Sequence, residues 1–178
     1  MTVNVTSPGV RAAVSVTVQN TIATKVLVGD QTLEPSVDFD DAGQAEATVS
    51  TATAAGTLSK VSVYVDATSA ATKVLVGVYS DSGGHPGTLL AQGTLAAPVA
   101  GAWNDVAMSA ASIASGTPYW IAVLSPAGSG RLQFRDRCCG VGQHADLSSQ
   151  TTLTALPATW SSGGQYNDGP ISAFASGT

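Results

Sequence analysis

The only two cysteines of the chain are neighbours, Cys138 and Cys139, in the segment Arg135-Asp136-Arg137-Cys138-Cys139-Gly140. Each can bond only to the other or to a cysteine of a second chain. Adjacent Cα atoms lie about 3.8 Å apart across a trans peptide, whereas an ordinary disulfide favours about 5.5–6 Å. A bridge here closes a small ring and locks a tight turn, and does not staple distant strands. Such a ring offers a polarizable apolar face flanked by Arg135, Asp136 and Arg137, a platform suited to a small ligand such as a sugar. The other state is a pair of free thiols, packed as small hydrophobes at a strand end. An oxidising compartment favours the bridge and a reducing cytosol favours the thiols.

The acidic residues form a second constellation. Asp30, Glu34, Asp38, Asp40, Asp41 and Glu46 are six of the twelve in the chain, and they fall in one loop-like segment. Calcium takes six to eight oxygen ligands from carboxylates and carbonyls, but the spacing here is not that of an EF-hand. A solvated acidic loop is the alternative. The aromatic residues divide by context. Tyr64, Trp103, Tyr119 and Phe134 sit in alternating segments and are expected in the core. Trp120 follows Tyr119 and must face the other side of its strand. Trp160 and Tyr166 lie in the glycine-rich stretch 158–168, where aromatic side chains more often meet ligands. A sugar presents a C–H face for stacking and a rim of hydroxyls for polar groups. The expected ligand contacts are therefore Arg135, Asp136, Arg137, Cys138, Cys139, Trp160 and Tyr166.

Catalytic patterns are weak. The histidines are His85, in a turn before Pro86, and His144, two residues from Asp146. A hydrolytic triad needs a base, an orienting carboxylate and a poised nucleophile, and no Gly-x-Ser-x-Gly elbow occurs. Two adjacent cysteines and two distant histidines do not make a zinc site. A noncatalytic protein is expected.

The elements that must position these groups are strands. Apolar and small polar residues alternate at 14–18, 25–28, 61–65, 74–79, 89–91, 103–108, 119–124, 132–134 and 171–174, the period-two signal of a half-buried strand. The alanine-rich stretch 45–53 interleaves alanine with β-branched and hydroxyl residues and also suits a strand. Turn-forming clusters separate the runs, among them Asp81-Ser82-Gly83-Gly84 and Ala127-Gly128-Ser129-Gly130. Many short strands with such punctuation indicate an all-β sandwich or barrel. The heptad Ala23-Thr24-Lys25-Val26-Leu27-Val28-Gly29 recurs at Ala71–Gly77, but its flanks do not match, so it marks two similar strands and not a duplication.

Composition sets the environment. Of 178 residues, 44% are hydrophobic, enough for a sizeable core, and only 11% are charged, against about 25% in ordinary globular chains. Hydroxyl residues fill the gap, as in secreted β-proteins. The net charge of −5 disfavours nucleic acid and anionic membrane surfaces. There is no apolar run of about 18 residues. The start lacks the basic and apolar regions of a signal peptide, so an exported form is expected to be a module of a longer chain. Residues 1–25 are expected to be a linker or an edge strand from a preceding domain, and 26–178 the compact module.

From Asp30 onward a familiar pattern emerges. It includes Val61-Ser62-Val63-Tyr64-Val65, Val76-Gly77-Val78-Tyr79-Ser80-Asp81, Gly84-His85-Pro86-Gly87-Thr88-Leu89-Leu90 and Gly101-Ala102-Trp103-Asn104. Gly116-Thr117-Pro118-Tyr119-Trp120, Phe134-Arg135-Asp136, Leu156-Pro157-Ala158-Thr159-Trp160 and Asp168-Gly169-Pro170 complete it. Across roughly Val26 to Ser176 the chain resembles a β-sandwich module of secreted, multi-domain bacterial proteins, similar in plan to jelly-roll carbohydrate-binding modules. The resemblance implies an antiparallel sandwich of jelly-roll type, a polysaccharide or glycan ligand, neighbouring domains as partners, and a secreted or cell-surface location. It also implies a structural calcium between the first strand's entry loop and the last strand, with Asp38, Asp40, Glu46 and Asp168 as ligands. Without a sugar ligand, a spacer or adhesive domain is the alternative.

Overall fold

A computed structural model describes residues 23–139 and 144–178. It contains twelve strands: β1 (Lys25–Gly29), β2 (Ser36–Asp40), β3 (Ala45–Thr51), β4 (Gly56–Val65), β5 (Lys73–Asp81), β6 (Pro86–Ala96), β7 (Ala102–Ile113), β8 (Pro118–Leu124), β9 (Leu132–Asp136), β10 (Ala145–Ser148), β11 (Ser162–Tyr166) and β12 (Ala173–Gly177). All pairings are antiparallel. One sheet runs β1-β12-β4-β9-β2 with β7 also on β4; the other runs β11-β10-β3-β8-β5-β6. Eight of these strands give a jelly roll, β1-β12-β4-β7 facing β3-β8-β5-β6, so that the first and last strands are neighbours. The β2–β9 pair prolongs the first sheet, and β10–β11 widens the second. The strand-like run at 14–18 lies outside the described residues.

Alternation explains which side chains are buried. Val61, Val63 and Val65 of β4 meet Val74, Val76 and Val78 of β5 and Tyr119, Ile121 and Val123 of β8 between the sheets. β8 is an unbroken apolar run after Pro118 because its other face is covered too. There Trp120, Ala122 and Leu124 pack with Leu75, Tyr79, Leu156 and Trp160 in a second cluster. The segment after β10 supplies that lid. Gly77 makes its close approach possible, since a Cβ on Gly77 would stand 2.7 Å from Leu156 Cδ1.

Two aromatic expectations are corrected. Trp160 is only 7% exposed. Its ring meets Tyr79 edge-on at 5.2 Å, and its indole N–H donates to Asp146 Oδ1 at 2.8 Å, so it belongs to the lid and offers no stacking platform. Tyr64 and Trp103, expected in the core, instead lie on the outward face of the first sheet, with Trp103 37% exposed. Trp103 contacts both Tyr64 and Phe174 there.

Replacing Trp160 by alanine should cost about 3–5 kcal/mol, because it opens the lid core and strips a partner from a buried carboxylate. Urea unfolding monitored by circular dichroism measures this, and an effect below about 1 kcal/mol would contradict the packing.

Candidate functional site

The strand β2 reverses the usual polarity of a sandwich strand. Val37 and Phe39 point outward and are exposed. Asp38 and Asp40 lie directly across from Phe134 and Leu132 of β9, whose side chains are in the core between the sheets. Asp38 and Asp40 therefore face inward. Asp136 lies on the same face of β9, opposite Ser36. From the other sheet, Glu46 pairs with Val123, an inward-facing core residue. Asp168 comes from the loop between β11 and β12.

Asp38, Asp40, Glu46 and Asp168 line a cleft of about 330 Å³ at the edge of the sandwich, together with Gln44, Asp41, Ala145, Leu147 and Tyr166. Asp38 and Asp168 also border a smaller hollow of about 120 Å³ shared with Asp136 and Cys138. Among the described residues no cationic side chain lines either space. Asp40, Glu46 and Asp136 are each at most 5% exposed, yet Asp40 Oδ2, Glu46 Oε1 and Asp136 Oδ1 have no hydrogen-bond partner among the described residues. Burial, reinforced by the neighbouring carboxylates, pushes Asp40 and Glu46 well above the usual carboxylate range. Burial with Asp38 and Asp168 nearby raises Asp136 to about 6, and burial with Asp168 also raises Asp38.

Cys138 and Cys139 are joined in a vicinal disulfide, so the bridged state expected for an oxidising compartment is the one present. Both residues are exposed. The turn is fixed from its other side: the Cys139 N–H donates to Asp168 Oδ1 at 2.9 Å. Arg137 N–H reaches Pro170 O, and Gly169 N–H reaches Arg137 O, both at 3.1 Å. Gly169 adopts φ +108°, a region that side chains strongly disfavour, and this places the preceding Asp168 over the turn.

The expected ligand contacts separate into different roles. Arg135 and Arg137 leave β9 on the face opposite Asp136. Arg135 Nε bonds Asp66 Oδ2 at 2.6 Å and its Nη1 bonds Pro35 O. Arg137 grips both oxygens of buried Glu34, at 3.1 and 2.7 Å. Both guanidiniums are thus committed to internal carboxylates. Arg131, the third arginine among the described residues, pairs with Asp41 and lies over the Phe39 ring. Asp136 borders the smaller hollow beside the acidic cleft, Tyr166 stands on the cleft's rim, half exposed, and Trp160 is in the lid. All four expected metal ligands, Asp38, Asp40, Glu46 and Asp168, line the one cleft.

Sequence inspection placed Asp38 and Asp40 in a loop, whereas they belong to β2. The alternation Val37-Asp38-Phe39-Asp40 carried the strand signal, but with acids on the buried face. Asp136 as a fifth carboxylate of the cluster was missed, because only the β2–β9 register brings it there.

His85 Nδ1 lies 2.7 Å from Asp146 Oδ2. Ser162 donates to the same carboxylate oxygen, so this serine is directed at the aspartate, as a clamp across the β5–β6 turn and β11. Compared with known proteins, the chain matches no family model and no curated protein.

Raised carboxylate pKa values favour the folded state when protonated. In metal-free protein this contribution is complete below about pH 4, where the unfolded carboxylates are protonated as well. It is lost as pH climbs through about 6, the value at which Asp136 gives up its proton. The melting temperature in chelator should therefore fall between pH 4 and 6.5, and Asp136→Asn should flatten that slope. A melting temperature that rises across this window in both proteins would contradict the cluster.

Proposed function

We propose that this is a noncatalytic carbohydrate-binding module of a secreted or cell-surface bacterial protein, which holds a glycan at the inter-sheet cleft beside the Cys138–Cys139 turn. The observation that carries this is the 330 Å³ cleft itself, with Tyr166 on its rim and carboxylates and Gln44 in its walls. A ring of that size needs one aromatic face and several hydroxyl partners. The composition, poor in charge and rich in hydroxyls, suits an extracellular setting, and the disulfide suits an oxidising one.

A calcium ion completes the proposal. The three unpartnered buried oxygens of Asp40, Glu46 and Asp136 are the hard donors that calcium prefers, and Asp38 and Asp168 stand beside them. The carboxylates are more open than a closed protein shell. Among the described residues, no three of them bring ligand atoms within 4.8 Å of one another, the one such trio being Cys138, Cys139 and Asp168. Water is therefore expected to share the coordination. When bound, calcium supplies positive charge that keeps the carboxylates ionised and accepts hydroxyl oxygens. The chain's own residues orient the ligand: Tyr166 offers its ring, Gln44 its amide, and the Asp168 loop fixes one wall.

A second function, an adhesive or spacing domain without a sugar ligand, is favoured by one observation. Among the described residues nothing covers the outward patch of Tyr64, Trp103 and Phe174, which is partly exposed and suits contact with a neighbouring domain.

Two measurements test the proposal. Calcium at a hundredfold excess over its Kd should add about 2.7 kcal/mol of stability, several degrees in Tm, and Asp38→Ala or Asp168→Ala should abolish the response. On an array of neutral and acidic polysaccharides the module should bind at least one glycan. Tyr166→Ala should then weaken that affinity up to about tenfold, through lost stacking of about 0.5–1.5 kcal/mol. No binding with or without calcium would leave the adhesive role.

A further inference from the structure

We infer that the Cys138–Cys139 turn is a latent site for a thiophilic divalent cation, such as zinc or cadmium, formed when the disulfide is reduced and completed by the Asp168 carboxylate. This site shares Asp168 with the oxygen-lined cleft but draws its other ligands from the two cysteines, and it does not depend on glycan binding. Part of the geometry that supports it is in place, with the sulfurs still joined to each other. One ligand atom from each of Cys138, Cys139 and Asp168 lies within 4.8 Å of the other two, the spread that a single metal centre spans. Zinc–thiolate bonds are about 2.3 Å and zinc–carboxylate bonds about 2.0–2.2 Å.

Three contacts keep the trio together without the sulfur–sulfur bond. The Cys139 N–H to Asp168 Oδ1 hydrogen bond joins the turn to the carboxylate. The paired backbone bonds of Arg137 with Gly169 and Pro170 hold the two segments side by side. Rotation about the cysteine side-chain bonds then suffices to separate the sulfurs for chelation. Both cysteines are exposed, so reductant and metal reach them from solvent.

The chemistry balances with a dithiol as reductant. The dithiol gives two electrons and two protons to the Cys138–Cys139 bond and leaves as a cyclic disulfide. The protein then carries two thiols. A divalent cation replaces their two protons, which pass to solvent, and forms two metal–sulfur bonds. Asp168 supplies an oxygen, and water fills the remaining position. Soft sulfur ligands select such cations over calcium, so the two sites would take different metals.

The test uses the whole chain, reduced with a dithiol and desalted under argon, with two free thiols verified by titration and the fold by circular dichroism. Cadmium added at micromolar concentration should give one equivalent of the ultraviolet cadmium–thiolate absorption and release two protons. The oxidised protein and the Cys138→Ser/Cys139→Ser double variant should give neither. Asp168→Asn, reduced in the same way, should bind cadmium at least about tenfold more weakly, while Asp105→Asn, on the outward face of β7, should not change it. Absence of the band in reduced, folded protein overturns the site, as does a cadmium affinity unchanged by Asp168→Asn.

Discussion

Like charges repel most where water is scarce, and the edge of this sandwich gathers five carboxylates between its sheets. Two unit charges 4 Å apart interact by about 4 kcal/mol at an effective dielectric constant near 20. A cluster with no cation among its lining residues must therefore hold protons or recruit positive charge from outside. The oxygens of Asp40, Glu46 and Asp136 left without a partner are not satisfied by any of the described residues. Hydrophobic burial elsewhere has to tolerate this, and a fully apolar β2 inner face would have been the more stable choice. The departure from ordinary sandwich patterning lies where function is expected.

The architecture confines that cost to one place. The eight jelly-roll strands carry the main core, with β-branched and aromatic residues in alternating register. Four of the five carboxylates come from outside those eight: Asp38 and Asp40 from β2, Asp136 from β9, and Asp168 from the loop before β12. Only Glu46 stands on a jelly-roll strand. Protonation or ion binding at the cleft can therefore shift β2 and the Asp168 loop without repacking β4, β5 and β8. Arg135 and Arg137 are turned to the opposite face. Arg135 of β9 and Arg137 just beyond it flank Asp136 and are neutralised by Asp66 and Glu34, so they brace the turn from outside and leave the cleft acidic.

Much of the framework was legible because it depends on local periodicity. The run at 61–65 became β4 through alternation, and the short apolar runs at 74–79 and 119–124, bounded by turn residues, became β5 and β8, buried on both faces. The position of Trp160 was not legible. Its neighbours are glycine and serine, the local signature of an exposed loop, and what buries it is distant in sequence: Tyr79 on β5 and the Asp146 carboxylate on β10. The acidic cluster was half legible. Asp38, Asp40 and Glu46 are close along the chain and Asp168 was linked to them by resemblance, whereas Asp136 looked like part of the Arg-Asp-Arg rim. A strand separates neighbours onto opposite faces, and only the pairing of β9 with β2 decides which of the three faces in.

The vicinal disulfide gains its meaning from the same topology. By itself a two-residue ring removes little entropy from the unfolded chain, since stabilisation grows with the length of the closed loop. Its effect is local and geometric. Cys139 adopts φ +67°, an uncommon conformation for a residue with a side chain, and in this conformation its N–H is directed at Asp168. The turn thus holds a carboxylate at the mouth of an acidic cleft, against the repulsion of Asp38 and Asp136. Stiffness at that point fixes the cleft wall, and such preorganisation would raise the affinity for the proposed ligand by lowering the ordering cost of binding. A flexible turn of the same composition would let Asp168 swing into solvent, where its charge is best hydrated, and the cleft would lose the wall that joins it to the disulfide.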